Sequence, residues 1–292
     1  MADETQPRPF EVPEPTGEAR ADAVRKLLAI VDRLRDPLDG CPWDREQTLE
    51  TVAPHLVEEA HELVEAVEVR DDTHAVEEAG DLLMGIALLA RIAEQEGRFD
   101  LAAVAEAVSA KLVRRHPHVF GEKRAGSAEQ ALANWEAIKR SERAEAKTDS
   151  SALAGVPAAL PALQRARRAA QKAISAGFRW SSVQEALAKL REELSELERE
   201  IEGGGLAGEA RARPGADLAA RLEHELGDVL LSGAFLGVYL GLDPERAARE
   251  ALRRFERRFR AMEGELPGPL AERTPDELLA AWRRAKLAEG GV

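Results

Sequence analysis

The 292-residue chain is poor in cysteine and in aromatic residues, and it carries no excess of positive charge. Its single cysteine, Cys41, excludes an internal disulfide and matches no thiolate metal-site spacing. Aromatic residues make up 4% of the chain while Ala, Leu, Glu and Arg dominate, which favours helices over a strand-rich fold. A net charge of −13 argues against a protein that coats nucleic-acid polymers, because no basic excess is available to displace counterions from phosphates.

Targeting and membrane segments are equally absent from the sequence. No uninterrupted apolar run approaches the ~20 residues that a membrane-spanning helix requires. The N-terminal segment, rich in Pro and Glu, has neither the basic stretch nor the apolar core of a secretory signal. We therefore expect a cytoplasmic protein with no membrane partner and a disordered N-terminal lead at residues 1–18.

Hydrophobic periodicity predicts two series of helices, separated by a segment rich in Ser, Gly and Pro. The predicted helices are 19–35, 49–70, 73–96, 99–115 and 128–146, then 163–176, 182–202, 216–241, 244–264 and 275–288. We predict an all-α fold, in which a helical-bundle module at 19–145 is joined by a linker at 146–162 to a second module at 163–292.

The two series form an internal repeat. An acidic helix carries HLVEEAHELVEAV at 55–67 in the first copy and REELSELE at 191–198 in the second. The next helix begins with EAGDLL at 78–83 and with ELGDVLL at 225–231. Basic residues and a Trp-x-x-x-Lys pattern follow in each copy, at Lys111, Arg115, Trp135 and Lys139 and at Arg254, Arg258, Trp282 and Lys286. Duplication of one helical module explains this order.

The carboxylates of the first copy indicate a metal site. On a helical wheel Glu58, Glu59 and Glu62 share one arc, which alone is typical of a solvated face. Glu78 and Asp81, however, begin LLMGIALLARIA, a segment apolar nearly all round and therefore expected to be buried. Burying unpaired carboxylates costs several kcal/mol, of which a helix N-terminus offsets only ~1–2 kcal/mol. Oxygen ligands select hard ions, so we expect Mg²⁺, with Mn²⁺ as a substitute.

The second copy repeats these carboxylates before another apolar segment, VLLSGAFLGVYLGL. Since consecutive helices pack antiparallel, each acidic helix and its successor are expected to bring their carboxylates together around one metal site. The residues of the second set are Glu192, Glu193, Glu196, Glu225 and Asp228.

The repeated cationic and aromatic residues narrow the possible ligands to phosphate-bearing molecules that also contain a base or sugar ring. Lys111, Arg115 and Lys139 can meet phosphate oxygens, and Trp135 can stack on a base or sugar. Their counterparts in the second copy are Arg254, Arg258, Lys286 and Trp282. No P-loop or strand-linked glycine motif is present, so a nucleotide would not be held by those folds.

Four other repeated residues are interpreted as structural. Trp43 and Trp180 precede the acidic helices and are expected to fill the core or anchor a loop. Gly80 and Gly227 lie beside Asp81 and its counterpart, and we expect them to permit close packing of helices.

The motifs LVEEAHE, EAGDLL, KLVRRHPHVF and NWEAIK resemble those of the MazG family of nucleoside triphosphate pyrophosphohydrolases, in its two-module form. The resemblance covers about residues 24–288. It implies a homodimer of helical-bundle modules that uses Mg²⁺ to cleave nucleoside triphosphates between the α- and β-phosphates, yielding the monophosphate and pyrophosphate. It also implies a role in clearing aberrant nucleotides. The implied metal ligands are Glu58, Glu59, Glu62, Glu78 and Asp81, and Glu192, Glu193, Glu196, Glu225 and Asp228.

Catalytic roles can be given to part of this set. A carboxylate that is not fully used as a ligand can accept a proton from the attacking water, and lysines can stabilise charge on the polyphosphate. The candidates for proton acceptor are Glu58 or Glu59 and Glu192 or Glu193, and the candidate lysines are Lys139 and Lys286.

Two alternatives stay open at this point. A helical regulatory protein could use one or both acidic sets only to sense nucleotides or divalent ions. A di-iron carboxylate bundle is the other, because Glu58 and His61 form one Glu-x-x-His match, although the second such match that this fold requires is missing. Which module turns over substrate is not visible in the sequence.

Overall fold

The computed structural model describes residues 16–121, 124–145, 149, 151–208 and 211–290. Most of the expected N-terminal lead and part of the expected linker lie outside these ranges. The described residues form helices, turns and loops and contain no strand, which confirms the all-α prediction. The chain divides into two compact units, Met1–Glu142 and Arg143–Val292. The finer boundaries of modules and linker stay a prediction.

Every predicted helix is present in the structure, with ends within a few residues of those expected. Two short helices that follow Cys41 and His116 were not predicted. The helices of the first unit are α1 (Ala19–Leu34), α2 (Pro42–Glu46), α3 (Leu49–Val69), α4 (Asp72–Gln95), α5 (Leu101–Arg115), α6 (Pro117–Phe120) and α7 (Ala128–Glu145). Those of the second are α8 (Ala162–Ser175), α9 (Val183–Gly203), α10 (Ala216–Tyr239), α11 (Pro244–Glu265) and α12 (Pro275–Ala288), with a 3₁₀ turn at Leu270–Glu272.

Helices α3 and α4 form an antiparallel hairpin. The chain reverses at Arg70, which has a left-handed φ of 61°, and Asp71 caps α4 by accepting a hydrogen bond of 3.0 Å from the backbone N–H of His74. Leu56 on α3 meets Gly85 on α4, about equally far from the turn. This pairing aligns the acidic face of α3 with the first turns of α4.

Glycine permits the close approach at Gly85, not at Gly80. A Cβ added to Gly85 would lie 2.7 Å from Cδ2 of Leu56, whereas one added to Gly80 or Gly227 would meet nothing within 4 Å. The expectation that Gly80 and Gly227 serve helix packing is therefore wrong. Residues five positions apart on a helix point about 140° apart around its axis. Gly85 therefore faces α3 while Gly80 does not.

The core of the first unit lies between α1, α3 and α4. Val31, Val52, Leu88 and Ile92 are each 5% exposed or less, and they form one cluster with Ala87. They come from three helices, so burying them holds α3 and α4 in register. Packing of this kind fixes which carboxylates of the two helices can meet.

The apolar segments of α4 and α10 are only partly buried within the chain. Leu83 is 44% exposed, Leu230 54% and Leu231 43%, so the expectation of burial all round is wrong. Neighbouring helices within each unit cover one side of these segments and leave the other side open. Among the described residues no single helix is long and apolar enough to cross a membrane, and α10 and α11 reach that threshold only as a pair bent by 109°.

Candidate metal and nucleotide sites

The first unit brings three of the predicted ligands together. Carboxylate oxygens of Glu59 on α3 and of Glu78 and Asp81 on α4 lie within 4.8 Å of one another. Glu78 is only 7% exposed, while Asp81 is open to solvent. A divalent ion that binds oxygens at about 2.0–2.6 Å can bridge atoms at this separation.

The electrostatics of this first cluster favour a cation. Burial raises the pKa of Glu59, and the Glu78 and Asp81 carboxylates raise it further. Burial also raises the pKa of Glu62, with the charge of Glu78 as the next cause. His74 Nε2 lies 2.7 Å from Glu78 Oε1, which gives that carboxylate one partner. Crowded negative charge of this kind is relieved by binding protons or a metal ion.

The second unit gathers a related cluster from α9 and α10. Carboxylate oxygens of Glu193, Glu196 and Glu225 lie within 4.8 Å of one another, and Glu193 is 6% exposed. A lysine already lies beside this cluster, because Lys189 Nζ is 2.8 Å from Glu193 Oε1 and 2.9 Å from Glu192 Oε1. These hydrogen bonds raise the pKa of Lys189, so its charge is fixed.

Four of the ten predicted ligands lie outside these clusters: Glu58, Glu62, Glu192 and Asp228. The Glu58 side chain is 67% exposed and its Oε2 lies 3.7 Å from His55 Nδ1. The Asp228 side chain is 37% exposed and lies 3.5 Å from His224. Neighbouring residues on a helix point about 100° apart, so Glu58 and Glu59 cannot both face α4. Whether these four join a metal stays a prediction.

The donor set of both clusters fits a hard divalent ion. Among the described residues, each cluster consists of carboxylates only, drawn from two packed helices. His61, which suggested a di-iron site, is exposed and belongs to neither cluster. The two clusters can therefore hold a divalent metal ion, and among the described residues neither cluster contains a histidine.

In the first unit the predicted aromatic residue lies among the predicted cations. The Nζ of Lys139 is 4.5 Å from the ring centroid of Trp135, and the guanidinium carbon of Arg115 is 5.4 Å from it. Lys111 is exposed on α5. The structure thus brings Arg115, Trp135 and Lys139 together and leaves Lys111 in solvent.

The counterparts in the second unit are arranged differently. The Trp282 ring lies 5.3 Å from the ring of Phe255, on α11. Arg254 is 3.6 Å from Glu250, and Lys286 is exposed on α12. An aromatic neighbour thus contacts the tryptophan where the first unit has cations.

The tryptophans of the two loops also differ between the units. Trp180 packs against Phe235 and Tyr239, at 5.6 and 5.7 Å between ring centroids, and its backbone N–H donates to the Tyr239 hydroxyl. Trp43 is 58% exposed, so the expectation that it fills the core is wrong. It lies on the short helix α2, with its ring 6.5 Å from that of His55.

Sequence reasoning missed one carboxylate in each unit. Glu142 accepts hydrogen bonds from Arg114 and Arg115, and Glu289 accepts them from Arg257 and Arg258. The bonds from Arg115 and then Arg114 hold the pKa of Glu142 down at about 2. A signal was available, because a glutamate follows the Trp-x-x-x-Lys pattern at the same spacing in both copies.

Comparison with known proteins adds three results. Residues 47–120 match the sequence model of the MazG nucleotide pyrophosphohydrolase domain. The chain is 41% identical over 240 residues to a nucleoside triphosphate pyrophosphohydrolase of Escherichia coli (strain K12), across 82% of this chain and 87% of that protein. It is 38% identical over 264 residues to a protein of Thermotoga maritima described as nucleoside triphosphate pyrophosphohydrolase/pyrophosphatase MazG, across 89% of this chain and 94% of that one.

Proposed function

The chain belongs to the MazG family of nucleoside triphosphate pyrophosphohydrolases, and from this premise we propose that its two acidic clusters hold Mg²⁺ for that hydrolysis. The reaction is cleavage of a ribo- or deoxyribonucleoside triphosphate between the α- and β-phosphates, which yields a monophosphate and pyrophosphate. Mn²⁺ is the expected substitute, because it shares the preference of Mg²⁺ for oxygen ligands.

One observation carries this proposal: in each unit, carboxylates from two packed helices lie close together in one cluster. Glu78 and Glu193 are the buried members, at 7% and 6% exposure. Burying a carboxylate among others is costly unless a cation is present. A divalent ion bound at each cluster would offset this cost.

The chain's own residues then have distinct tasks. Bound Mg²⁺ would neutralise the triphosphate and polarise the phosphorus under attack. In the first unit Glu59, Glu78 and Asp81 would hold the ion. Glu58, or Glu59 where it is not fully used as a ligand, is proposed to accept the proton of the attacking water. Lys139 and Arg115 stabilise charge on the departing pyrophosphate.

Base binding is proposed to fall to the tryptophans that follow the catalytic helices. Trp135 and Trp282 each belong to the repeated Trp-x-x-x-Lys pattern, which places an indole one helical turn from a lysine. An indole stacks on any base or sugar and so gives little discrimination. This tolerance is consistent with a role in clearing aberrant nucleotides.

We also propose a cytoplasmic homodimer. The open sides of α4 and α10 carry large apolar residues, including Leu83, Ile86 and Leu230. Large apolar residues exposed along one side of a helix are typical of a protein–protein interface. A second copy of the chain would cover it and complete the burial expected for these segments.

The proposal is tested by product analysis on the wild-type chain. The protein is incubated with Mg²⁺ and a panel of canonical and damaged nucleoside triphosphates, and monophosphate and pyrophosphate are quantified. We expect equal amounts of both products, and no turnover once a chelator removes the metal. Release of a nucleoside diphosphate and inorganic phosphate would point to a different reaction. No turnover at all would point to a protein that only senses nucleotides.

The two metal sites are expected to differ in affinity. In the second unit Lys189 bonds two carboxylates of the predicted ligand set, Glu192 and Glu193. At the same place in the first unit the sequence has His55, whose Nδ1 lies 3.7 Å from Glu58. An incoming divalent ion must therefore compete with a lysine charge only in the second unit.

Exchanging these two residues should exchange the affinities. We expect Lys189→His to tighten Mn²⁺ binding by the second cluster about tenfold, and His55→Lys to weaken binding by the first cluster to a similar degree. Electron paramagnetic resonance titration measures each site, with the other cluster silenced by Glu59→Gln or Glu193→Gln. An unchanged dissociation constant in both exchanges would show that the lysine does not compete with the metal.

A further inference from the structure

The two units share an arginine–glutamate clamp, and its glutamates, Glu142 and Glu289, have no role in the proposed reaction. In the first unit Arg114 Nε donates to Glu142 Oε1 at 2.6 Å, while Nε and Nη2 of Arg115 donate to Oε2 at 3.0 and 2.6 Å. In this unit the clamp ties the C-terminal end of α5 to the last turn of α7. One carboxylate therefore fixes two adjacent guanidinium groups.

The second unit repeats the clamp between α11 and Glu289, the residue that directly follows α12, and the Nε atoms of both arginines again donate. Arg257 Nε donates to Glu289 Oε1 at 3.0 Å, and Arg258 Nε donates to Oε2 at 2.7 Å. The hydrogen bond from Arg258 is the main cause that lowers the pKa of Glu289. Other contacts of the repeat, such as those of the tryptophans, differ between the units. The arginine–glutamate clamp is the same in both, which favours a shared role for it.

Within each clamp the two arginines have different surroundings. The side chains of Arg115 and Arg258 are 17% and 19% exposed, whereas those of Arg114 and Arg257 are 56% and 54% exposed. The inner arginine is thus the one that sequence reasoning assigns to phosphate. The outer one is a surface residue.

The inner guanidinium is held on one edge and offers the other. Arg115 uses Nε and Nη2 for Glu142, which leaves Nη1 and the far edge of the fork without a bond to that carboxylate. The planar guanidinium recognises phosphate through two parallel N–H groups on one edge. A carboxylate bound to the Nε–Nη2 edge of Arg115 fixes the plane in which the N–H groups of the adjacent Nη1–Nη2 edge point.

We propose that Glu142 and Glu289 are positioning residues, which hold the guanidinium groups of Arg115 and Arg258 in the orientation that binds the triphosphate. This inference rests on the proposed function, because it takes Arg115 and Arg258 as triphosphate ligands. The clamp replaces a flexible arginine by a preorganised one, so less conformational entropy is lost when substrate binds. Neither glutamate touches the substrate.

A double-mutant cycle on the full chain tests the proposal, with both units changed together so that either can be the active one. The variants are Glu142→Gln with Glu289→Gln, Arg115→Gln with Arg258→Gln, and all four together. We expect the glutamate pair to lower kcat/KM about tenfold or more, and to cause no further loss once the arginines are gone. The matched control, Arg114→Gln with Arg257→Gln, breaks the outer bonds of the same carboxylates and should stay within about twofold of wild type.

Each outcome decides for or against the clamp. If the fourfold variant loses kcat/KM by the product of the losses in the two pairs, the glutamates do not act through the arginines and have a structural role only. The same conclusion follows if the control pair loses as much kcat/KM as the glutamate pair and its melting temperature falls to match. A gain in kcat/KM in the glutamate pair would show that the carboxylates compete with phosphate for the arginines. Absence of pyrophosphate release by the wild type would instead overturn the proposed function and this inference with it.

Discussion

Replacing the metal-facing glutamate of both units at once, in the Glu59→Gln, Glu193→Gln variant, is expected to abolish pyrophosphate release. Each substitution keeps the shape of the side chain and removes one carboxylate of a three-member cluster. Metal stabilisation of the transition state is worth several kcal/mol, and ~4 kcal/mol corresponds to a ~10³-fold lower rate. Pyrophosphate assays of the two single variants then identify which unit is active.

A matched control separates ligand loss from loss of acidic charge. Glu65 and Glu198 are exposed on the same two helices, α3 and α9, and lie outside both clusters. Glu65→Gln with Glu198→Gln makes the same change in net charge and should retain wild-type activity. Equal losses in the control and in the cluster variant would remove the clusters from the mechanism.

Replacing Gly85 by valine, which fills the close approach between α3 and α4, should lower the stability of the first unit. A Cβ at Gly85 would lie 2.7 Å from Leu56 Cδ2, and the branched side chain of Gly85→Val would extend further into α3. Overpacking of this kind costs about 1–3 kcal/mol in the free energy of unfolding. We expect a lower midpoint of urea denaturation for the first unit, and weaker Mn²⁺ binding by its cluster, because α3 carries Glu59.

Gly80 provides the control for this substitution on the same helix. A Cβ at Gly80 meets nothing within 4 Å, so Gly80→Val has room for the new side chain. Its urea midpoint should stay near that of the wild type, since valine is no worse than glycine inside a helix. Equal destabilisation by both valines would mean that the contact with Leu56 on α3 does not set the effect.

Local sequence patterns were enough to predict the helices and the helix pair that carries each cluster. Periodicity predicts α3 and α4 within a few residues, because long amphipathic helices with caps such as Asp71 are strongly encoded locally. The internal repeat then pairs EAGD with ELGD and so identifies the acidic sets. Both inferences depend on order along the chain alone.

Which carboxylates meet could not be predicted, because this depends on how each helix is rotated about its axis. Glu59 faces α4 while Glu58 does not, and the same rotation places Gly85, not Gly80, against α3. The two clusters also differ in membership, since Asp81 belongs to the first and its counterpart Asp228 does not belong to the second. Core packing of several helices sets these angles, and no single helix encodes them.

The clamp was missed for a different reason. Arg115 and Glu142 are 27 residues apart, on helices whose contact is tertiary. A basic residue near a helix end is common, so neither partner stands out alone. The recurrence of a glutamate after Trp-x-x-x-Lys in both copies was the available signal, and it becomes specific only when the two copies are aligned.

The central claim is that the paired carboxylate clusters are divalent-metal sites, and direct measurement of Mn²⁺ binding tests it without reference to turnover. Electron paramagnetic resonance titration of the wild-type chain should show two classes of bound Mn²⁺, one for each unit. The Glu59→Gln, Glu193→Gln variant should lose both while keeping its helical circular dichroism. Unchanged Mn²⁺ binding by that variant would place the metal elsewhere in the chain and contradict the account.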